Sequence, residues 1–232
     1  MASSRSGGYQ SRLILRPNQL YYGTTMKRPR GMIAAIAALI VVGAAVTGVG
    51  VSRLVARAFA PQFDASTLSS SIPEPNVTLT DQDGQPFRLA DARGKGLLLF
   101  FGYTHCPDVC PTTLAKVATA DRLLGSEAED VDVAFVTVDP QRDTAAYLKR
   151  YMALFNPHFY GLTGSPAALH ALYSAYHVWF QKVPNNKASA DGYLMAHTST
   201  IYFIDRSGDL RVVHDWTDTP QVIAHDMRVL ID

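Results

Sequence analysis

Acid is missing from the first quarter of this chain, and cysteine is nearly missing from all of it. No Asp or Glu precedes Asp64, although Arg5, Arg12, Arg16, Lys27, Arg28 and Arg30 are already in place. Charge of either sign is in short supply overall: 21 Lys and Arg against 20 Asp and Glu leave a net charge of +1, which argues against nucleic acid or a strongly acidic substrate as partner. Only Cys106 and Cys110 carry thiols, so all thiol chemistry falls on one pair four residues apart. Beyond Asn76 there is no internal repeat and no low-complexity block, and that stretch suits one domain.

Charge is absent altogether from Gly31 to Ser52, "GMIAAIAALIVVGAAVTGVGVS". As a helix this run reaches ~33 Å, enough for a hydrocarbon core of ~30 Å. The competing reading is a secretory signal, because "AFA" at Ala58–Ala60 resembles a cleavage site, but signal cores run only about 7–15 residues. An uncleaved anchor over 31–52 is therefore expected. Six basic residues before it against Arg53 and Arg57 after it place the N-terminus in the cytoplasm or matrix and export the rest. The acid-free first 25 residues also fit a mitochondrial transit peptide, and "MKRPRG" at Met26 reads as an alternative bacterial start. The expectation is a bacterial inner-membrane protein with its domain in the periplasm; the alternative is the mitochondrial inner membrane, facing the intermembrane space. The organisation reads as a basic tail (1–30), an anchor (31–52), a tether rich in Pro, Ser and Thr (53–75) and a folded domain (76–232).

Within that domain, strands alternate with helices. "VTLTDQDGQPFRLA" is a hairpin around Asp83-Gly84. "KGLLLFFGY" and "VDVAFVTVD" are continuous apolar runs of the kind that covered central strands show. "PTTLAKVATADRLLG" has helical spacing at Leu114, Val117, Ala118 and Leu124 and stops at Gly125. A helix is expected around Thr144–Leu154, and another in "GSPAALHALYSAY", where Ser165 caps and Pro166 takes the first helical position. "STIYFIDRSGDLRVVH" is a late hairpin turning at Ser207-Gly208, and "DTPQVIAHDMRVLI" is a closing helix. Trp179 and Phe180 read as core or rim aromatics, and Gln181–Tyr193 as a polar surface loop. The class is α/β, a sheet with helices on both faces.

The cysteines then fall just past the carboxyl end of a central strand, entering a helix whose N-terminus lowers thiol pKa values. Pro107 and Pro111 fit a first turn that needs no N–H from them. A disulfide over a four-residue step gains little loop entropy. If both residues were helical, their Cβ atoms would stand ~5–6 Å apart, whereas a disulfide wants ~3.8 Å. Such a bond is switchable rather than structural. A metal relaxes the demand, since each sulfur need only lie ~2.3 Å from the ion. Two thiolates make an incomplete site. Of the seven histidines, His105 adjoins Cys106 and points the other way on an extended backbone, while His170 and His225 lie in helical stretches. His197 sits in a polar kink just before an apolar strand, a place from which it could face the cysteines; Met195 shares that strand face as a remote candidate. On residues alone, small buried hydrophobes, a redox pair, a metal clamp and a peroxidase site all stay open for the two cysteines.

"GYTHCPDVCPTTL" at Gly102–Leu114, "VTVDPQRDT" at Val136–Thr144, "GLTGS" at Gly161–Ser165 and "HTSTIYFID" at His197–Asp205 resemble, in order, the motifs of the SCO/SenC family, from about Asn76 to the end. The resemblance implies a thioredoxin-like fold, a central mixed sheet flanked by helices, behind an N-terminal transmembrane helix. It implies a copper chaperone of cytochrome c oxidase assembly, with Cys106, Cys110 and His197 as copper ligands. Two thiolates and an imidazole form a soft site that suits Cu(I), with the imidazole helping it tolerate Cu(II); zinc also accepts such a set. The implied partner is cytochrome c oxidase subunit 2, whose binuclear CuA centre would receive the metal, with an upstream copper donor or thiol reductant besides. The alternative is a thiol–disulfide oxidoreductase that keeps exported target cysteines reduced and needs Cys106 and Cys110 but not His197. A peroxidase fits poorly, because a CPDVC pair is not its pattern. Asp139, in "VDPQRD", reads as structural. Many relatives carry an acid directly before the histidine, where this chain has Ala196.

Overall fold

The computed structural model describes residues 43, 48, 49, 51, 63–184 and 192–231. The anchor expected over 31–52 lies almost wholly outside them; among the described residues no helix is long and apolar enough to cross a membrane. The chain divides into residues 1–60 and a compact unit from Pro61 to Asp232.

The compact unit is built on a six-stranded mixed sheet. Its strands are β1 (Ser66–Pro73), β4 (Gly96–Gly102), β5 (Val131–Thr137), β6 (Tyr160–Leu162), β9 (Ile201–Ile204) and β10 (Asp209–His214), in the order β1-β10-β9-β4-β5-β6. β4, β5 and β6 run parallel, while β9, β10 and β1 pair antiparallel. Two hairpins stand apart from it: β2 (Thr78–Thr80) with β3 (Pro86–Arg88), and β7 (Phe180–Pro184) with β8 (Tyr193–His197). The helices are α1 (Val109–Leu124), α2 (Ala145–Met152), α3 (Pro166–Ala175) and α4 (Pro220–Ile231).

Why these segments form these elements follows from burial and capping. Every residue of β4 is buried, which is what its unbroken "GLLLFFG" demands of a strand covered on both faces. On one face, a Cβ at Gly96 would strike Leu230 and Ile231 of α4, and one at Gly102 would strike Cys110 of α1. On the other, Phe101 meets Tyr173 of α3 and Tyr176 just beyond it. Helices therefore cover both faces, as the alternating pattern predicts. Thr144 caps α2 by accepting from Tyr147 N–H, and Ser165 caps α3 by accepting from Ala168 N–H, with Pro166 next. α1 ends at Gly125, whose φ of 63° only glycine adopts freely.

Two expectations need correction. Residues 66–73, read as tether, form β1 and pair with β10 through Ser66–Val213 and Pro73–Asp209. The strand's start is clasped by Asp226 of α4, which accepts from Asp64 N–H (2.7 Å) and Ala65 N–H (3.0 Å) and faces His214 Nε2 at 3.0 Å. The stretch Gln181–Tyr193, read as a loop, supplies most of β7 and the first residue of β8, with 185–191 outside the described residues. Of the core and rim alternatives for Trp179 and Phe180 the structure gives the rim, at 57% and 37% exposed.

Candidate metal and redox centre

The end of β4 delivers the chain to the site. Tyr103 O accepts from Cys106 N–H at 3.3 Å in a tight turn, and α1 begins at Val109 after Asp108. Asp108 makes no side-chain cap to that helix. Its place is taken by a sulfur: Cys110 N–H, one of the first-turn donors without a helical acceptor, points at Cys106 Sγ at 3.4 Å. Pro111 sits in the first turn as expected, whereas Pro107 precedes the helix. Cys106 is half-buried at the mouth of the site and Cys110 lies fully buried beneath it; both are free thiols.

His197 closes the group from the separate β7–β8 hairpin. It is the last residue of β8, and its Nε2 lies 3.5 Å from Cys110 Sγ. Its Nδ1 lies 2.8 Å from Thr198 O, an acceptor only, so Nδ1 carries the proton and Nε2 presents a lone pair to the cysteines. The Tyr103 ring stands perpendicular to the imidazole at 5.8 Å.

The two thiols are electrostatically unlike. A hydrogen bond from the Cys110 thiol, reinforced by the N–H groups of Cys110 and Asp108, holds Cys106 far below the ordinary thiol range against the cost of its burial. The same bond seen from the other end, together with burial and the negative charge on Cys106, pushes Cys110 up. The resting pair is a thiolate and a thiol sharing one proton. Burial, with the nearby thiols adding to it, pushes Tyr103 up to about 12, so a neutral phenol lines the site.

The other sequence candidates fall away from this centre. His105 turns outward, stacked on Tyr147 at 5.2 Å with its Nδ1 3.0 Å from Thr104 Oγ1. Met195 is buried in the hydrophobic core. His170 and His225 are surface residues. Ala196 pairs with Gln181 across the hairpin and brings no carboxylate beside His197. Asp139 is structural, as read: it accepts from Arg142 Nε and from Tyr193 Oη. Sequence reasoning missed Asp143 and Thr104, although "VTVDPQRDT" marked the segment. Asp143 is fully buried behind the cysteine loop and accepts from Thr104 N–H (3.1 Å) and Oγ1 (2.5 Å) and from Thr137 Oγ1 (2.6 Å).

Comparison with known proteins gives the family. Residues 67–232 match the SCO1/SenC family model, and the chain belongs to that family. It is 36% identical over 130 residues to the SCO2-like protein of Rickettsia felis, covering 56% of this chain and 63% of that protein. It is 35% identical over 168 residues to the mitochondrial SCO2 homolog of Mus musculus, covering 69% of this chain and 65% of that one. The chain thus spans just under two thirds of these relatives. Among solved structures it is similar to Bradyrhizobium japonicum ScoI with copper bound, at 39% identity and a TM-score of 0.62, covering 68% of this chain and 99% of that one.

Proposed function

We propose that this SCO1/SenC protein is a membrane-anchored copper metallochaperone whose cargo is held by Cys106, Cys110 and His197. The observation that carries the reading is the imidazole itself. The Nδ1 contact with Thr198 O selects the neutral tautomer whose Nε2 is bare, and that nitrogen is aimed at Cys110 Sγ, 3.5 Å away, while Cys106 Sγ closes against the Cys110 amide. A pair built only for thiol exchange has no need of a lone pair aimed at its buried sulfur. Two sulfurs and one nitrogen suit Cu(I), and the nitrogen extends tolerance to Cu(II). The copper held by the similar ScoI structure and the mitochondrial name of the mouse relative support the same reading.

The destination follows from the family resemblance: the CuA centre of cytochrome c oxidase subunit 2, reached from the outer face of an energy-conserving membrane. Residues 31–52 would anchor the domain there, facing the periplasm or the intermembrane space. Transfer proceeds by ligand exchange, with target thiolates replacing Cys106, the more exposed sulfur, before Cys110. The test is titration of the reduced, metal-free protein with Cu(I) against a competing chelator. Wild type should bind one equivalent tightly, and His197→Ala and Cys106→Ser should each bind far more weakly. Equal binding by His197→Ala would end the three-ligand reading.

A second reading is favoured by the charge asymmetry of the pair. An accessible thiolate above a buried thiol is the arrangement of a nucleophile and a resolving group. Cys106 would attack a target disulfide to give a mixed disulfide and one free target thiolate. Cys110 would then attack Cys106 Sγ, its proton passing to the departing second target thiolate. The protein ends oxidised by two electrons, and an upstream thiol reductant must reset it.

A further inference from the structure

One continuous run of hydrogen bonds joins the segment that carries the cysteines to the segment that carries the histidine. It starts two residues before Cys106. Thr104 donates from N–H and Oγ1 to Asp143, which also accepts from Thr137 Oγ1. Thr137 Oγ1 in turn accepts from Asp139 N–H at 2.8 Å. The Asp139 carboxylate accepts from Arg142 Nε and, at 3.0 and 3.1 Å, from Tyr193 Oη. Arg142 Nη1 donates to Tyr193 O at 3.2 Å, and its guanidinium lies 3.7 Å from the Tyr193 ring centroid. Tyr193 opens β8, and His197 ends it.

The run is buried and anchored. Thr104, Thr137, Asp139 and Asp143 are all at most 8% exposed, and the Arg142 side chain is also 8% exposed. The loop between them is tied to the sheet by Val138 N–H donating to Gly102 O at 2.7 Å and by Tyr173 Oη donating to Thr137 O at 2.6 Å. The hairpin it reaches is also anchored by Met195 in the core, by Phe180 against the Tyr173 ring at 4.9 Å and by Lys182 Nζ donating to Gln141 Oε1 at 2.7 Å. β7 is exposed at every residue, and β7–β8 is a two-stranded sheet separate from the main one. Isolated two-stranded hairpins are marginal. At its base, Trp179 and Thr198 exchange bonds of 2.9 and 3.1 Å. Those bonds fix where the hairpin leaves the domain. The far end is about 13 Å from His197 along an extended strand, and there the Asp139–Arg142–Tyr193 contact supplies a further fixed point.

We propose that the loop Thr137–Asp143 is a bracket that sets the separation between the thiol pair and the imidazole, with Asp139 and Arg142 acting as positioning residues for His197 through Tyr193. The proposal rests on the three-ligand reading and deepens it. Neither residue touches the cargo. Asp143 holds the cysteine loop, Asp139 and Arg142 hold the histidine hairpin, and Thr137 joins the two halves. Loss of any link would leave both halves folded but no longer in register.

The test uses the full chain in detergent and three variants, Tyr193→Phe, Asp139→Asn and Arg142→Gln, the first two nearly isosteric. Without metal, nuclear Overhauser contacts between the Tyr103 and His197 rings report the register. Those between Phe101 and Tyr202, 5.4 Å apart in the core, are the internal control. The Tyr103–His197 contacts should weaken or vanish in the variants while the control persists. With metal, Cu(II) affinity measured by competition should fall about 10-fold, as for other groups that orient a ligand, and should fall no further when the same change is made in His197→Ala. Unchanged Tyr103–His197 contacts together with unchanged affinity would overturn the bracket. If His197→Ala alone bound Cu(II) as wild type does, the ligand reading would fall instead, and the ring contacts in the metal-free protein would still decide whether the bracket holds the hairpin.

Discussion

Copper loading should release one proton per ion at neutral pH. The count follows from the charge state of the resting site. Cys106 is already a thiolate, held so by the Cys110 thiol and by the amides of Cys110 and Asp108. Cys110 is a thiol, held so by that shared bond, by burial and by its neighbour's charge. His197 has its proton on Nδ1, facing Thr198 O, and offers Nε2 bare. A cation that takes both sulfurs and the imidazole therefore displaces a single proton, from Cys110. Two ordinary thiols of pKa ~8.5 would surrender nearly two at pH 7. Calorimetric titration of the reduced protein with a Cu(I) complex, in buffers of differing ionisation enthalpy, gives the number directly. The apparent affinity should strengthen about tenfold per pH unit between pH 6 and 8, against about a hundredfold for two protons. Cys110→Ser should lower the release to zero, and Cys106→Ser should leave it at one. Release of two protons by wild type would refute the charge assignment.

The same asymmetry is open to alkylation. Iodoacetamide should modify Cys106 at pH 6 nearly as fast as at pH 8, although an ordinary thiol is only about 0.3% thiolate at pH 6; mass spectrometry showing a tenfold rise per pH unit, or equal labelling of the fully buried Cys110, would contradict it. Gly102→Ala places a Cβ 2.7 Å from the Phe135 ring and 2.9 Å from Cys110 Sγ, and should cost about 1–3 kcal/mol in denaturant unfolding while weakening copper binding. Burial pushes Asp143 up despite bonds from Thr104 and Thr137. The folded state therefore holds its proton more readily than the unfolded chain, so this residue's contribution to stability is full below about pH 4 and shrinks as pH rises through the raised folded value. Asp143→Asn should flatten that part of the wild-type stability curve, and an unchanged slope would count against it. Asp226→Ala leaves two amides without their acceptor and removes the carboxylate that faces the buried His214 Nε2 at 3.0 Å, and should cost about 3–5 kcal/mol, with early hydrogen exchange at the start of β1.

What the sequence makes legible is whatever hydrophobic burial or capping decides. β4 and β5 are visible because a strand covered on both faces has no polar positions, and α2 and α3 because Thr144 and Ser165 cap them. β1 and β7–β8 are invisible for the opposite reason. "STLSSSIP" has no apolar alternation; it is a strand because the edge of β10 offers it backbone partners, and because Asp226, more than 150 residues away, binds its first amides. β7 is exposed throughout, so no periodicity could announce it. Trp179, which reads as core or rim, is exposed at the base of that hairpin.

The site divides along the same line. That Cys106 and Cys110 share a helix N-terminus is local, and follows from where an apolar strand stops and a helix starts. That they are unlike is not local. It needs one sulfur to cap the helix and the other to lie beneath it, and this depends on the turn closed by Tyr103 O and Cys106 N–H. His197 could be placed before an apolar strand, but nothing in its neighbours says which nitrogen is free; Thr198 O decides that. Furthest from view is the distance between sulfur and nitrogen. Near the cysteines in sequence, Tyr103 touches the His197 ring and Thr104 donates to Asp143. The remaining links come from Thr137, Asp139, Arg142 and Asp143, in a motif whose acidic residues invite a ligand reading. In the fold both carboxylates turn away from the sulfurs and spend their oxygens on Thr104, Thr137, Arg142 and Tyr193. A buried carboxylate satisfied by several donors is a poor ligand and a good strut, because moving it breaks every bond at once. The proposed carrier would gain from such a division: the soft atoms bind the cargo, and the charges that set their spacing stay buried behind them.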